Sequence, residues 1–293
     1  MLWPPKPTLR VKDAVEACNA GWGNEEARQA LEDRLEDLER GEGEYLRAGE
    51  AGVLLELLHT SDFQAQKDDP DKSNLLDAYE GLVSRVDGRA LYDALKAAAV
   101  FGKCPLCGIG EVAALDHHAP KQRFPLLAVT PLNLVPACGI CNQRKGNTLP
   151  PVEGPEDYHP YFDDLGQHRW LFAVVASGGV TMFAAQPPPH WTDEAKRRLT
   201  HHFDRYQLGE RYRERAPEFI LDRRRSDLRT YESWGPSALE EDLLLDAASH
   251  ACNDPNSWKT ALLQGLAVSP WYINGGLKDL SPVPVRTVCP DGP

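Results

Sequence analysis

Two Cys-x-x-Cys pairs, Cys104/Cys107 and Cys138/Cys141, lie about thirty residues apart and constrain this chain more than any other feature. Thiols at that spacing can present four sulfurs to one tetrahedral Zn²⁺ at roughly 2.3 Å, and two chance pairs among seven cysteines are improbable. The other three, Cys18, Cys252 and Cys289, are scattered, so the pattern reads as a metal clip and not a disulfide framework. A short polar segment has little apolar material for a core of its own, and a structural zinc would supply the missing cross-link. A closed tetrathiolate site has no open coordination position and cannot itself activate water. The clip is therefore expected to be scaffold, with any chemistry carried by its neighbours.

Charge isolates the same segment. The chain has a net charge of −12, which argues against a protein that coats nucleic acid by bulk electrostatics. Residues 1–100 carry 12 Lys+Arg against 21 Asp+Glu, and residues 151–293 carry 15 against 21, so the flanks sum to −9 and −6. Residues 101–150 carry 5 against 2, the one positive island, at +3. No apolar run reaches the roughly 18 residues that span a bilayer, and Met1-Leu2-Trp3-Pro4-Pro5 lacks the basic start and apolar stretch of a signal peptide, so a cytoplasmic protein without membrane association is expected.

The pattern along the chain predicts an α+β fold in three segments. Residues 1–100 read as helical: Asn24-Glu25-Glu26 opens a stretch with Leu31, Leu35 and Leu38 on one stripe, Ser73 can cap a second helix, and Ala90 to Val100 a third. Residues 101–150 form the metal-dependent unit. In residues 151–293 a proline-rich connector leads to "RWLFAVVASGGVTMFAAQ", a β-hairpin about Gly178-Gly179, and the pattern turns helical again from Thr192.

Within the middle segment, "LDHHAPKQRFP" starts as an edge strand would and sets Asp116 beside His117 just beyond the first pair. Asn142 follows the last cysteine, where the chain turns into a helix. A metal that draws the two knuckles together should bring Asp116 and Asn142 close in space. Their oxygens are hard ligands suited to Mg²⁺ or Mn²⁺. His117 has a side chain able to take a proton from water near neutral pH.

The order CPLC, LDHHAPKQRFP, NLVPACGICNQRKG, across Cys104 to Asn147, resembles the zinc-containing HNH nucleases, whose fold is the ββα-metal motif. The resemblance implies structural zinc on Cys104, Cys107, Cys138 and Cys141. It makes Asp116 and Asn142 the holders of a catalytic divalent ion, His117 the general base, and Asn133 the middle motif residue that braces the loop orienting that base. Asn142 stands where many relatives have His, and His118 after His117 is unusual; His118 could be an alternative base, but strand alternation would turn it to the opposite face. The flanks, with "HPYFDD", the "WLF" hairpin and "SPWYINGG", look similar to bacterial HNH proteins of anti-phage defence that work beside an ATPase.

Other residues carry weaker expectations. Lys121, Arg144 and Lys145 flank the site and could contact phosphates or form a solvated rim. His159 could reach the metal site or be a packed surface residue, Asp163 and Asp164 read as a cap or an ion site, His201-His202 as structural, and Arg223-Arg224-Arg225 as a charged helix face or a nucleic-acid or partner surface. The expected function is metal-dependent hydrolysis of phosphodiester bonds, in DNA in preference to RNA, by a subunit whose acidic flanks dock a protein partner. The alternative is a non-catalytic zinc module that binds nucleic acid or a partner.

Overall fold

The structure, a computed structural model, describes residues 3–166 and 168–280; Cys289 lies outside them. The described chain forms two compact units. The first comprises residues up to 166 together with 191–206, and the second 168–190 together with 207–280. Both are mainly helical, and each holds one two-stranded antiparallel sheet.

In the first unit seven helices precede the cysteine segment: α1 (Val11–Asn19), α2 (Glu25–Asp33), α3 (Leu35–Ala51), α4 (Leu54–Leu58), α5 (Ser61–Ala65), α6 (Lys72–Ser84) and α7 (Val86–Ala97). The Asn24 side chain accepts from the Ala27 N–H, and Glu25 and Glu26 complement the dipole of the first turn of α2. Leu31 and Leu38 are fully buried, as the stripe predicts. The helix breaks between them at Arg34, whose guanidinium binds Asp37 at 2.9 Å, Asp69 at 2.8 Å and Asp71 at 3.0 Å. Ser73 is not a cap: α6 starts at Lys72 and Ser73 lies in its first turn. The next helix starts at Val86, ahead of the expected Ala90, because Arg85 is extended and reverses the chain. There α6 and α7 touch so closely that a Cβ on Gly88 would meet the Gly81 carbonyl oxygen at 2.4 Å.

Two strands and a helix follow: β1 (Ala114–His117), β2 (Leu134–Ala137) and α8 (Gly139–Lys145). The strands pair antiparallel with Asp116 opposite Val135 and His117 opposite Leu134. The division at residue 100 expected from composition is not a boundary in the fold. Leu115, Leu126, Val129 and Leu134 belong to one core with Leu31, Leu38, Leu82 and Leu95 of the helices. Phe124, Leu127 and Leu132 share a second core with Tyr45, Leu54 and Phe63. A cysteine segment too small for a core borrows one from α1–α7. The first unit is completed by α9 (Asp193–Arg205), capped by Thr192 and returning from beyond the hairpin.

The second unit contains the predicted hairpin, β3 (Leu171–Val175) and β4 (Thr181–Ala185), joined through Gly178 and Gly179, which both adopt positive φ. With it are α10 (Leu208–Trp234), α11 (Pro236–Ala251), α12 (Trp258–Ala267) and α13 (Pro270–Ile273). Asn256 fixes the entry to β3, its Oδ1 accepting from the N–H groups of Trp170 and Leu171 and its amide donating to the His168 carbonyl. The arginine run is a structural helix face: Arg223 binds the fully buried Asp227 at 2.7 Å, and Arg224 donates to the carbonyls of Leu277 and Lys278. Among the described residues no helix is long and apolar enough to cross a membrane.

The seat of α12 on β3 is tight enough to test. A Cβ on Gly265 would lie 2.6 Å from the Ala173 carbonyl oxygen, a backbone atom that cannot swing aside. Gly265→Ala is expected to cost about 1–3 kcal/mol by overpacking, although alanine is the better helix former. A lower urea midpoint at unchanged slope is the expected reading; an unchanged midpoint would show that the helix can shift freely.

Candidate metal centre and adjoining pocket

The first knuckle is a tight turn. The Cys104 N–H donates to the Gly110 carbonyl at 2.8 Å and the Gly108 N–H to the Cys104 carbonyl at 2.7 Å, with Gly108 at a φ of 69°. Gly110 faces the second knuckle, where any Cβ would meet the Cys138 Sγ at 2.6 Å. Cys138 follows β2 and caps α8, its sulfur accepting from the Cys141 N–H. The four sulfurs lie within 4.8 Å of one another, all buried, with Cys107 and Cys138 at 3.9 Å. Tetrahedral ligands at 2.3 Å from zinc lie roughly 3.8 Å apart, so the cluster could hold a metal ion and its donor set suits zinc. The thiols share protons unevenly. Hydrogen bonds from Cys104 pull Cys107 down to about 6, and Cys138 falls as well, while Cys104 and Cys141 are pushed up. Such a cluster cannot carry four negative charges without a cation among them.

One turn into α8, Asn142 lines a pocket of about 210 Å³ together with Asp116, His117, Tyr79, Lys121 and Asn147. The cysteine-borne turn at Cys138 and the pairing of β1 with β2 thus set Asp116, His117 and Asn142 around one opening. His118 is not part of that lining. Its imidazole Nε2 lies 3.8 Å from Glu156, and its ring is tilted against that of His159 with centroids 4.2 Å apart, just beyond the end of β1.

The His117 imidazole has a defined tautomer. Its Nε2 lies 2.8 Å from the Ala128 carbonyl oxygen, which can only accept, so Nε2 carries the proton and Nδ1 keeps its lone pair. Burial lowers its pKa to about 3, so the ring is neutral at neutral pH. Tyr79 packs against it, ring centroids 4.4 Å apart.

Ala128 sits on a loop that Asn133 holds with its full hydrogen-bonding capacity. The Asn133 amide donates to the carbonyls of Ala119 and Leu127, both at 3.0 Å, and Oδ1 accepts from the Ala119 N–H at 2.7 Å and the Tyr45 hydroxyl at 3.1 Å. Tyr45 in turn meets His159 Nε2 at 3.1 Å, while His159 Nδ1 accepts from the Tyr161 N–H. His159 is therefore not a surface residue, being only 2% exposed. It buttresses Asn133 through Tyr45, a residue of α3 that no local motif points to.

The cations divide. Lys121 lies at the pocket, bound to Glu80 at 3.0 Å and resting 4.0 Å over the Tyr79 ring. Arg144 is exposed on α8. Lys145 corrects the expectation of a rim residue, since it is 4% exposed and turned inward. Its ammonium lies 2.5 Å from the His117 carbonyl and 3.6 Å from Asp116 Oδ1. Burial raises the Asp116 pKa, and Lys145 opposes that rise. Asp163 pairs with Arg198 and accepts from the His159 N–H, and Asp164 closes a turn at Gly166, so both aspartates are engaged structurally. His202 is buried against the Leu106 carbonyl, and His201 lies 3.4 Å from Asp157, as structural histidines do.

Protein ea31 of Escherichia phage lambda is 32% identical to this chain over 189 residues, covering 59% of this chain and 64% of the relative. The chain thus spans somewhat under two thirds of that relative's length. No family model matches, and no solved structure matches.

Two outcomes follow from this geometry. Purified protein should carry about one zinc per chain by elemental analysis, and Cys104→Ser should bring that below about half and lower the melting temperature. Full zinc on the variant would show that the ion sits elsewhere. Asn133→Ala would strand buried carbonyls and N–H groups, each costing about 1–3 kcal/mol, so a loss of at least about 2 kcal/mol is expected in denaturant titration.

Proposed function

We propose that this chain is a metal-dependent nuclease of the HNH type, hydrolysing phosphodiester bonds in DNA. The observation that carries the reading is the convergence of Asp116, His117 and Asn142 on one pocket beside the four-cysteine cluster, with Asn133 holding the loop whose Ala128 carbonyl orients His117. A clip that only cross-linked the chain would need none of these four residues. The order strand, strand, helix is the one the ββα-metal resemblance implies.

Asp116 and Asn142 supply the oxygen donors that would hold Mg²⁺ or Mn²⁺, ions that keep part of their water shell and complete it with phosphate oxygens. When bound, such an ion stabilises charge on the phosphate and on the leaving oxygen. His117 acts through Nδ1, which takes the proton from the attacking water, while Nε2 stays committed to Ala128. The ring is neutral at neutral pH and so has a lone pair to offer, while the burial that keeps it neutral also makes it a weak base. Lys145 opposes the burial-driven rise in the Asp116 pKa and orients its carboxylate. A protein partner, an ATPase on the resemblance, belongs to the same reading and rests on the acidic flanks. The lambda relative is a phage protein, so a role in bacterial defence rests on the flanking motifs alone.

The test is cleavage of plasmid DNA and of RNA with Mg²⁺ or Mn²⁺ under single-turnover conditions. His117→Ala should lose about 10²- to 10⁴-fold in rate while zinc content stays at the wild-type level. Asp116→Ala should remove divalent-dependent cleavage with zinc likewise retained. Near-normal cleavage by His117→Ala beside collapse in His118→Ala would reverse the assignment of the base. Nucleic-acid binding without cleavage under any metal would favour the non-catalytic module.

A further inference from the structure

A larger opening in the first unit takes part of its lining from the same helix end as the pocket. Asn142, Gly146 and Asn147 line the pocket, whereas Arg144 and Thr148 line a groove of about 1050 Å³. Its walls are the proline-rich connector, with Leu149, Pro150 and Pro155, and one face of α9. Its charge runs against that of the chain. Four cations, Arg144, Lys196, Arg197 and Arg205, face it together with a single acid, Asp204, in a protein of net charge −12.

The groove is also held open. Arg205 binds Asp157 at 2.6 Å, the Lys145 carbonyl at 2.7 Å and Thr148 at 2.8 Å, tying α9 to the C-terminal end of α8. Burial raises the Asp157 pKa, but His201 and Arg205 more than offset it, and the net shift is downward, so the tie is charged. Lys196 and Arg197 pair with Asp193 and Glu194 one turn back on the same helix. Exposed pairs of that kind are weak and salt-screened, and they yield to a phosphate that brings several charges at once.

We propose that this groove seats the sugar–phosphate backbone of the substrate strand next to the scissile phosphate, so that Arg144, Lys196 and Arg197 neutralise successive phosphates while Leu149, Pro150 and Pro155 cover the sugar faces. The inference rests on the nuclease reading above and names the side on which the strand leaves the pocket. Charge complementarity favours a polyanion, and the pocket lies across α8 from the groove, so a strand with a phosphate at Asp116 and Asn142 would reach the groove by passing around the end of that helix.

The experiment compares two charge-reversal triples in the full chain with no added divalent ion. One is Arg144→Glu/Lys196→Glu/Arg197→Glu; the other, with the same change in net charge, is Lys12→Glu/Arg47→Glu/Lys72→Glu. Fluorescence anisotropy with a labelled 20-nucleotide DNA, single-stranded and duplex, is read across salt concentrations, with circular dichroism and zinc content checked for each variant. The groove triple should weaken binding at least about tenfold and reduce the slope of log K against log salt by about 2–3, the loss of three phosphate contacts. The distant triple should change affinity by less than about threefold. Equal effects from the two triples, or none from either, would overturn the groove. So would displacement of the DNA by polyglutamate as effectively as by unlabelled DNA of equal charge. A wild-type chain that cleaves nothing, with binding still lost only in the groove triple, would sink the nuclease reading and leave the groove standing.

Discussion

Four cysteine sulfurs within 4.8 Å of one another set the constraint on which the rest of the first unit depends. Each thiol that ionises makes the next harder to ionise, and the hydrogen bond between Cys104 and Cys107 pushes the first up and the second down. A divalent cation removes that competition, and in doing so fastens the turn at Gly108 to the start of α8. From Cys138 onward the helix has one register, which delivers Asn142 to the pocket and turns Lys145 toward Asp116. The cluster thus acts on the pocket through the backbone, without lending it a coordination position.

The second constraint is saturation of Asn133. A buried carboxamide offers two donors and two lone pairs, and here all are used, three on the loop that follows β1 and one on Tyr45. Such a network is costly to satisfy in part, so the loop has little freedom once Tyr45 and His159 are in place. The cost of that precision is dependence on distant sequence: α3 and the segment after Pro155 must both be folded before the Ala128 carbonyl has a fixed position for His117. The helical N-terminal region therefore cannot be a detachable domain, and the shared cores of Leu31, Leu38, Leu115 and Leu134 say the same in apolar terms.

This division explains what the sequence disclosed. Spacing alone made the cysteine cluster legible, because ligand geometry leaves few alternatives for paired Cys-x-x-Cys. The helices of the N-terminal region and the hairpin at Gly178-Gly179 were legible from periodicity and turn chemistry, although the break at Arg34 was not, since it is set by Asp69 and Asp71 more than thirty residues away. Asp116, His117, Asn133 and Asn142 were read from motif order, and the fold brings three of them to one pocket. Lys145 escaped because a lysine beside an arginine at a helix end looks solvated; only the tertiary position of Asp116 draws it inside. Tyr45 and His159 lie 88 and 26 residues from Asn133, and no periodicity connects them.

Charge shows the same limit of segment-wise reading. Residues 151–293 sum to −6, which suggests repulsion of any phosphate backbone. Yet α9, within that span, folds back onto the first unit and places Lys196, Arg197 and Arg205 around a groove beside α8. At physiological ionic strength the Debye length is about 8 Å, so an anion inside the groove responds to its lining far more than to carboxylates across the surface. At longer range the same carboxylates repel a polyanion, and a chain so arranged is poorly attracted to nucleic acid at a distance while able to hold a strand once it is seated. On the reading proposed, the acidic exterior and the basic groove are complementary: the first restrains indiscriminate binding, and the second acts only on a strand already delivered to the pocket.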